Sequence, residues 1–221
     1  MEESWEINNV GHFKSFLSKH IINTKYFNNE YELINNLSYN FQYLQFLTNV
    51  LKSEDLHNVI RKLNIKTYLI VSTSIIESIL DYYLILTEQH KMDEWKPLSK
   101  DSSPIYKSNG ESLKTVTYTF QKIEPFLVNM KFDDILKKIT DKKLLGDNVE
   151  LYQSLNKIKK LRNKVHLNNI EYDRDHDWNN FKDSEYYECS KCLREILKSN
   201  IFNVTIEELK EKFVFLTNRI K

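Results

Sequence analysis

The chain has 221 residues and a formal net charge of +1, from 32 lysines and arginines against 31 aspartates and glutamates. This balance excludes a polycation that coats nucleic acid, so any such binding must be local. Only three glycines and three prolines are present, which excludes glycine-rich phosphate loops and nucleophile elbows, argues against turn-rich β folds, and predicts an all-α protein.

Two long helices are predicted in the first part of the chain. The first runs from Glu30 to Leu51, because apolar residues recur there at spacings of three and four. After a shorter segment near Asp55 to Leu63, an apolar helix follows from about Ile65 to Gln89 and is expected to form the core. Polar side chains within it, including Glu77 and Asp81, favour a buried helix over a membrane span.

The middle of the chain loses this helical pattern. Serine, proline and charged residues between Lys91 and Gly110 predict a loop, and an internal boundary is expected here. Val116, Tyr118 and Phe120 alternate with threonines, which is typical of a strand. No partner strand is identifiable, and a helix fits these residues nearly as well.

Two further helices are predicted on either side of Gly146. Apolar residues from Phe132 to Ile139 give a helix that stops near Gly146, where a left-handed cap is expected. Asp147 and Glu150 form a start signal for the next helix. The apolar positions of that helix are Leu151, Leu155, Ile158, Leu161 and Val165.

The last part of the chain is predicted to hold a polar connection and two more helices. A helix is expected from Ser184 to Lys198, and Thr205 with Glu208 in capping-box spacing opens the final one. The connection before them is rich in metal-ligating residue types, but it lacks the glycine and the closing glutamate of a calcium loop. A solvated loop is therefore the interpretation of Asp173, Asp175, His176 and Asp177.

An arginine and a histidine are predicted to lie at the edge of an apolar helix face. At about 100° per residue, Leu155, Arg162 and His166 fall on nearly one line of the helix that begins near Asp147. An arginine beside a core needs a carboxylate, a phosphate or a partner chain. Glu77 on the apolar helix is a candidate partner, since a carboxylate there also needs a cation.

The same residues resemble a known family. Leu161-Arg162-Asn163-Lys164-Val165-His166-Leu167 is similar to the signature of HEPN (higher eukaryotes and prokaryotes nucleotide-binding) domains, an all-helical family with many metal-independent ribonucleases and toxins. The resemblance covers roughly residues 65–197 and includes the apolar helix with its glutamate. It implies an HEPN-like helical bundle over 61–221, with residues 1–60 as an N-terminal helical extension packing on it. The spacing to the histidine is one residue shorter than is usual in catalytic members.

The resemblance implies a metal-independent endoribonuclease without a cofactor, of the kind whose relatives act as toxins or as anti-phage effectors. His166 would act as acid or base, Arg162 would clamp the scissile phosphate, Asn163 would orient either of them, and Glu77 would support Arg162. RNA is the implied partner, bound in addition by the lysines of the same helix, Lys159, Lys160 and Lys164, although a solvated face also explains these lysines. A single motif histidine per chain implies a homodimer.

Other interpretations stay open. Arg162 and His166 also fit a structural ion pair or capping set, in a non-catalytic HEPN-like module that binds nucleic acid, a nucleotide or a protein. A third possibility is an antitoxin or scaffold subunit that works through residues 1–60, and an antitoxin or defence-system partner fits either. Cys189 and Cys192 form a C-x-x-C without a second pair, so structural thiols are favoured over zinc. The acidic N-terminus lacks an apolar core, which predicts a cytoplasmic protein.

Overall fold

The computed structural model describes residues 7–52, 56–165, 180–202 and 204–216. Of these described residues, 58% are helical and 16% are strand. The all-α expectation is therefore wrong, because the middle of the chain forms antiparallel sheet and the protein is mixed α and β. The chain divides into two compact units, a helical one within residues 1–89 and 131–221 and a β unit at 90–130.

The helical unit is built from seven helices among the described residues. Helix α2 confirms the helix predicted from Glu30 to Leu51, whereas α3 takes in both the apolar helix and part of the shorter segment predicted before it. The bounds are α1 (Val10–Leu17), α2 (Glu30–Lys52), α3 (Asn58–Leu86), α4 (Phe132–Asp141), α5 (Val149–Asn163), α6 (Asp183–Lys198) and α7 (Ile206–Lys212), with a 3-10 turn at Val214–Leu216.

Helix α3 forms the centre of the helical unit and packs against α2, α4, α5 and α6. It is buried along most of its length, from Ile65 to Ile85, which explains why its apolar residues surround nearly the whole circumference. Ser72 and Thr73 lie in this core, and both donate hydrogen bonds to the Leu69 carbonyl, at 3.2 and 2.6 Å. Their hydroxyl groups are therefore satisfied within the helix.

Among the described residues, α3 is the one helix that is long and apolar enough to cross a membrane. Within the protein, 61% of its most apolar window is buried. Burial against other helices is typical of the core helix of a soluble protein, as the polar residues of this helix predicted.

An aromatic cluster joins the two ends of the helical unit. Phe13 of α1 stacks on Phe41 of α2 at a centroid distance of 5.8 Å, and Phe213 contacts Phe41 edge-on at 4.8 Å. All three rings are fully buried. Helices α1 and α2, which fall in the predicted extension at residues 1–60, belong to the same compact unit as the later helices.

The β unit is a long hairpin with a second, short ladder at its turn. Its strands are β1 (Met92–Ser102), β2 (Tyr106–Ser108), β3 (Glu111–Leu113) and β4 (Val116–Leu127), with β1 antiparallel to β4 and β2 antiparallel to β3. Asn109 and Gly110 form the turn with φ of 51° and 83°, the left-handed pair that a type I′ hairpin turn requires. The loop predicted from Lys91 to Gly110 is thus mostly strand, and β1 is the partner that β4 lacked in the sequence analysis.

Candidate functional site

Helix α5 carries the predicted site residues on its last turn. Gly146 adopts the predicted left-handed conformation with φ of 83°, and the side chain of Asn148 accepts a hydrogen bond from the Leu151 N–H at 3.2 Å. The cap is therefore Asn148 rather than Asp147, which instead pairs with Lys143 at 2.9 Å. The first turns bury Leu151, Leu155 and Ile158, and this fixes which side of the helix faces α3.

Arg162 lies at the edge of that buried face and forms an ion pair with Glu77 of α3. The distance from Arg162 Nη2 to Glu77 Oε2 is 3.2 Å, and the side chains are 38% and 26% exposed. This confirms the partner predicted for Arg162. The pair connects two helices of the core, yet the guanidinium stays open enough for an anion from solvent to reach it.

Burial and the charge of Arg162 shift the pKa of Glu77 in opposite directions. Burial raises the pKa of its carboxyl group, the guanidinium of Arg162 lowers it, and the nearby carboxylate of Asp81 raises it again. The pKa ends above its ordinary value, so the attraction of Arg162 does not fully offset the loss of hydration. The pair is thus a weak source of stability for the fold.

The remaining predicted residues of α5 are spread around the end of the helix. Asn163 is exposed at the last helical position. Lys159 pairs with Asp133 of α4 at 2.6 Å, Lys160 is exposed, and Lys164 lies within 3.4 Å of the side-chain oxygen of Asn180. Of these three lysines, Lys160 is exposed, whereas Lys159 and Lys164 are partly buried and each contacts a neighbouring side chain.

His166 lies outside the described residues, as do the acidic residues and the histidine of the predicted solvated loop, Asp173, Asp175, His176 and Asp177. Helix α5 ends at Asn163, and the N–H of the capping Lys164 bonds to the Leu161 carbonyl. The shared helical face of Arg162 and His166 assumed a helix that continues through residue 166. That alignment stays a prediction.

Cys189 and Cys192 lie within α6 and are both buried. Burial raises the pKa of the Cys192 thiol to about 12 and that of Cys189 well above its ordinary value. Both thiols therefore stay protonated and pack as apolar groups, in agreement with their predicted structural role. Among the residues that the structure describes, no group of three or more His, Cys, Asp or Glu is placed to hold a metal ion.

One set of exposed side chains was missed by the sequence analysis as a possible functional surface. Trp95, Tyr118 and Phe120 stand on the β hairpin and are about half exposed. The alternation of aromatic residues with threonine was visible in the sequence. It indicates an exposed aromatic face only when β4 pairs with β1 and with no other strand.

No protein-family model, no curated protein and no solved structure matches this chain.

Proposed function

We propose that this chain is an HEPN-like, metal-independent endoribonuclease that acts in the cytoplasm as a toxin or an anti-phage effector. The observation that supports it is the half-exposed Arg162, held by Glu77 where the last turn of α5 meets the core helix α3. A guanidinium with a carboxylate on one side and solvent on the other is suited to bind a phosphodiester.

The reaction needs no cofactor, because RNA carries its own nucleophile. The 2′-hydroxyl loses its proton to a base and attacks the adjacent phosphorus, the bond from phosphorus to the 5′-oxygen breaks, and an acid protonates that oxygen. The products are a 2′,3′-cyclic phosphate and a free 5′-hydroxyl. His166 takes the acid or base role, since histidine titrates near neutral pH.

Arg162 stabilises the charge that builds up on the phosphate oxygens, for which a planar fork of donors is better suited than a lysine. Glu77 is a positioning residue, because it fixes the guanidinium on α5 without reaching the substrate itself. Asn163, exposed beside Arg162, orients the phosphate or His166. Lys160 and Lys164 add attraction for neighbouring phosphates.

A homodimer completes the proposal, because acid and base roles need two groups and the motif supplies one histidine per chain. A two-fold axis near the end of α5 would bring two motifs to one scissile bond. A toxin of this kind also needs an inhibitor, so an antitoxin or another defence-system protein is the expected partner.

The test is cleavage of total RNA in EDTA by wild type, Arg162→Ala and His166→Ala, each first shown to be folded. The control is Gln153→Ala, an exposed position nine residues before Arg162 on α5. We expect the control to cleave like wild type, both motif variants to lose at least about 100-fold in rate, and the fragments to end in cyclic phosphate.

The alternative is a non-catalytic HEPN-like module, and the ion pair itself favours it in one respect. Glu77 already satisfies the charge of Arg162 inside the chain, so a substrate is not required to explain the arginine. Intact RNA after incubation with folded, dimeric wild type would contradict the nuclease proposal and support this alternative.

A further inference from the structure

The two faces of the β1–β4 hairpin have different chemistry. Directly opposite residues of an antiparallel pair share a face, and the register pairs Trp95 with Lys122, Pro97 with Phe120 and Lys100 with Tyr118. These residues therefore stand on one face, called here the aromatic face. It consists of Trp95, Pro97, Lys100, Val116, Tyr118, Phe120 and Lys122.

The opposite face is polar. Thr117, Thr119 and Gln121 alternate with the aromatic residues along β4, and Ser99 and Asp101 pair with two of them from β1. A hairpin with this alternation is normally built to bury its apolar face. Here Trp95, Tyr118 and Phe120 are 47%, 52% and 50% exposed.

Exposure of three large rings on one face of a two-stranded ribbon is costly. A lone two-stranded hairpin is marginally stable in water, and clustered exposed aromatic residues mark an interaction site. The Tyr118 and Phe120 rings are neighbours that do not stack face to face, since their centroids are 6.4 Å apart and their planes are tilted by 31°. The face is thus a row of separate aromatic platforms.

The charge on the aromatic face decides which occupant fits. The residues of this face include two lysines, Lys100 and Lys122, and no carboxylate, although β1 and β4 together hold three lysines and four carboxylates. Lys100 stands on the aromatic face with its Nζ 5.5 Å from the centre of the Tyr118 ring. At the base of the hairpin, Lys122 pairs with Glu94 at 3.1 Å.

A second copy of this face would place its lysines against those of the first, which opposes self-association through this face. A polyanion with flat apolar groups matches both properties. Single-stranded nucleic acid has such groups, because its unpaired bases stack on aromatic side chains while its phosphates attract lysine. Double-stranded RNA keeps its bases stacked and offers the rings nothing to contact.

We propose that the aromatic face of the hairpin binds single-stranded RNA, with consecutive bases on Tyr118, Phe120 and Trp95 and a phosphate at Lys100. The choice of RNA over DNA rests on the proposed endoribonuclease function. The face deepens that function by selecting unpaired substrate.

The experiment measures binding separately from cleavage. A fluorescein-labelled single strand of about a dozen nucleotides, with 2′-O-methyl ribose so that it has no nucleophile, is titrated with the full chain and followed by anisotropy. The variants are Tyr118→Thr and Phe120→Thr, which keep a residue that favours strands. The control is Gln121→Thr on the polar face of the same strand.

We expect each aromatic variant to bind at least about fivefold more weakly, because stacking on one ring contributes that much or more. The control should match wild type, and Lys100→Ser should reduce the slope of log Kd against log salt by about 0.7. A duplex of the same sequence should compete poorly.

Three results would overturn the inference: no binding of the single strand by folded wild type, equal affinity of wild type and both aromatic variants, or a dimer in sedimentation velocity that Phe120→Thr dissociates. The last result would assign the face to a second copy. Binding of the methylated strand without cleavage of ordinary RNA would leave this inference standing and remove the nuclease proposal.

Discussion

Replacing Arg162 with alanine should leave the protein folded with only a small loss of stability. The ion pair with Glu77 spans 3.2 Å between side chains that are 38% and 26% exposed, so water screens it strongly. Pairs in such surroundings contribute about 0.2 to 1 kcal/mol, and the aliphatic stem of arginine adds some packing. We expect a loss of about 0.5 to 2 kcal/mol, against about 3 to 5 kcal/mol for breaking a buried pair.

The assay is urea unfolding followed by far-UV circular dichroism, with wild type, Arg162→Ala, Glu77→Gln and the double variant. This cycle isolates the coupling between the two side chains, which we expect to be about 0.5 to 1 kcal/mol. A loss above about 3 kcal/mol for Arg162→Ala would refute the reasoning. Arg162 would then be a structural residue, and a loss of cleavage in that variant would no longer report on chemistry.

Four further outcomes are expected. The pKa of Glu77 is raised above its ordinary 4.5, so ionisation of this carboxyl group disfavours the fold. Glu77→Gln should therefore have the same stability as wild type below pH 4.5 and should become more stable than wild type as the pH rises through the raised pKa. Urea unfolding across pH measures this difference. Phe41→Ala should cost about 3 to 5 kcal/mol in the same assay, since its ring fills the fully buried aromatic cluster. Cys189 and Cys192 should resist a thiol reagent until urea unfolds the chain, and rapid labelling in the native state would contradict their burial. Gly110→Ala should destabilise the hairpin by about 1 kcal/mol, because φ of 83° strains alanine. Amide hydrogen exchange should therefore become faster in the hairpin and stay unchanged in the helical unit.

The helices were largely predictable because their burial has a period close to 3.6 residues. Helix α2 begins at Glu30 as predicted and extends one residue beyond Leu51, to Lys52. The side chain of Thr205 caps α7 by accepting a hydrogen bond from the Glu208 N–H at 3.1 Å. Local signals of this kind carry over into the fold because the residues that make them are neighbours in sequence.

The hairpin was missed because scarcity of glycine was treated as a property of the whole chain. A single hairpin needs one tight turn, and Asn109-Gly110 is the dipeptide best suited to a type I′ turn. Strand β1 was also hidden by Pro97, which a central strand would exclude. A two-stranded ladder has only edge strands, where proline is tolerated.

The candidate site was predictable only where pairing has a simple physical cause. A carboxylate on the core helix and a guanidinium at the edge of α5 each need an opposite charge, and Arg162 meets Glu77 for that reason. The relation of Arg162 to His166 depends instead on how far α5 continues, and its last helical residue is Asn163. Helix ends are set by capping and tertiary contacts, which the apolar period does not report.

The two proposed contact surfaces share one physical property, which is that each contains a group whose surroundings weaken the fold. Arg162 does not restore the pKa of Glu77 to its ordinary value, and the aromatic face leaves Tyr118 and Phe120 half exposed. In the described core of the helical unit, by contrast, apolar periodicity and helix caps agree with one structure. Residues that lower stability in an otherwise consistent fold are typical of functional sites, where they contact a ligand. Both Arg162 and the aromatic face with Lys100 place a cation beside an apolar surface. An RNA strand has phosphates that complement the cation and bases that complement the apolar surface.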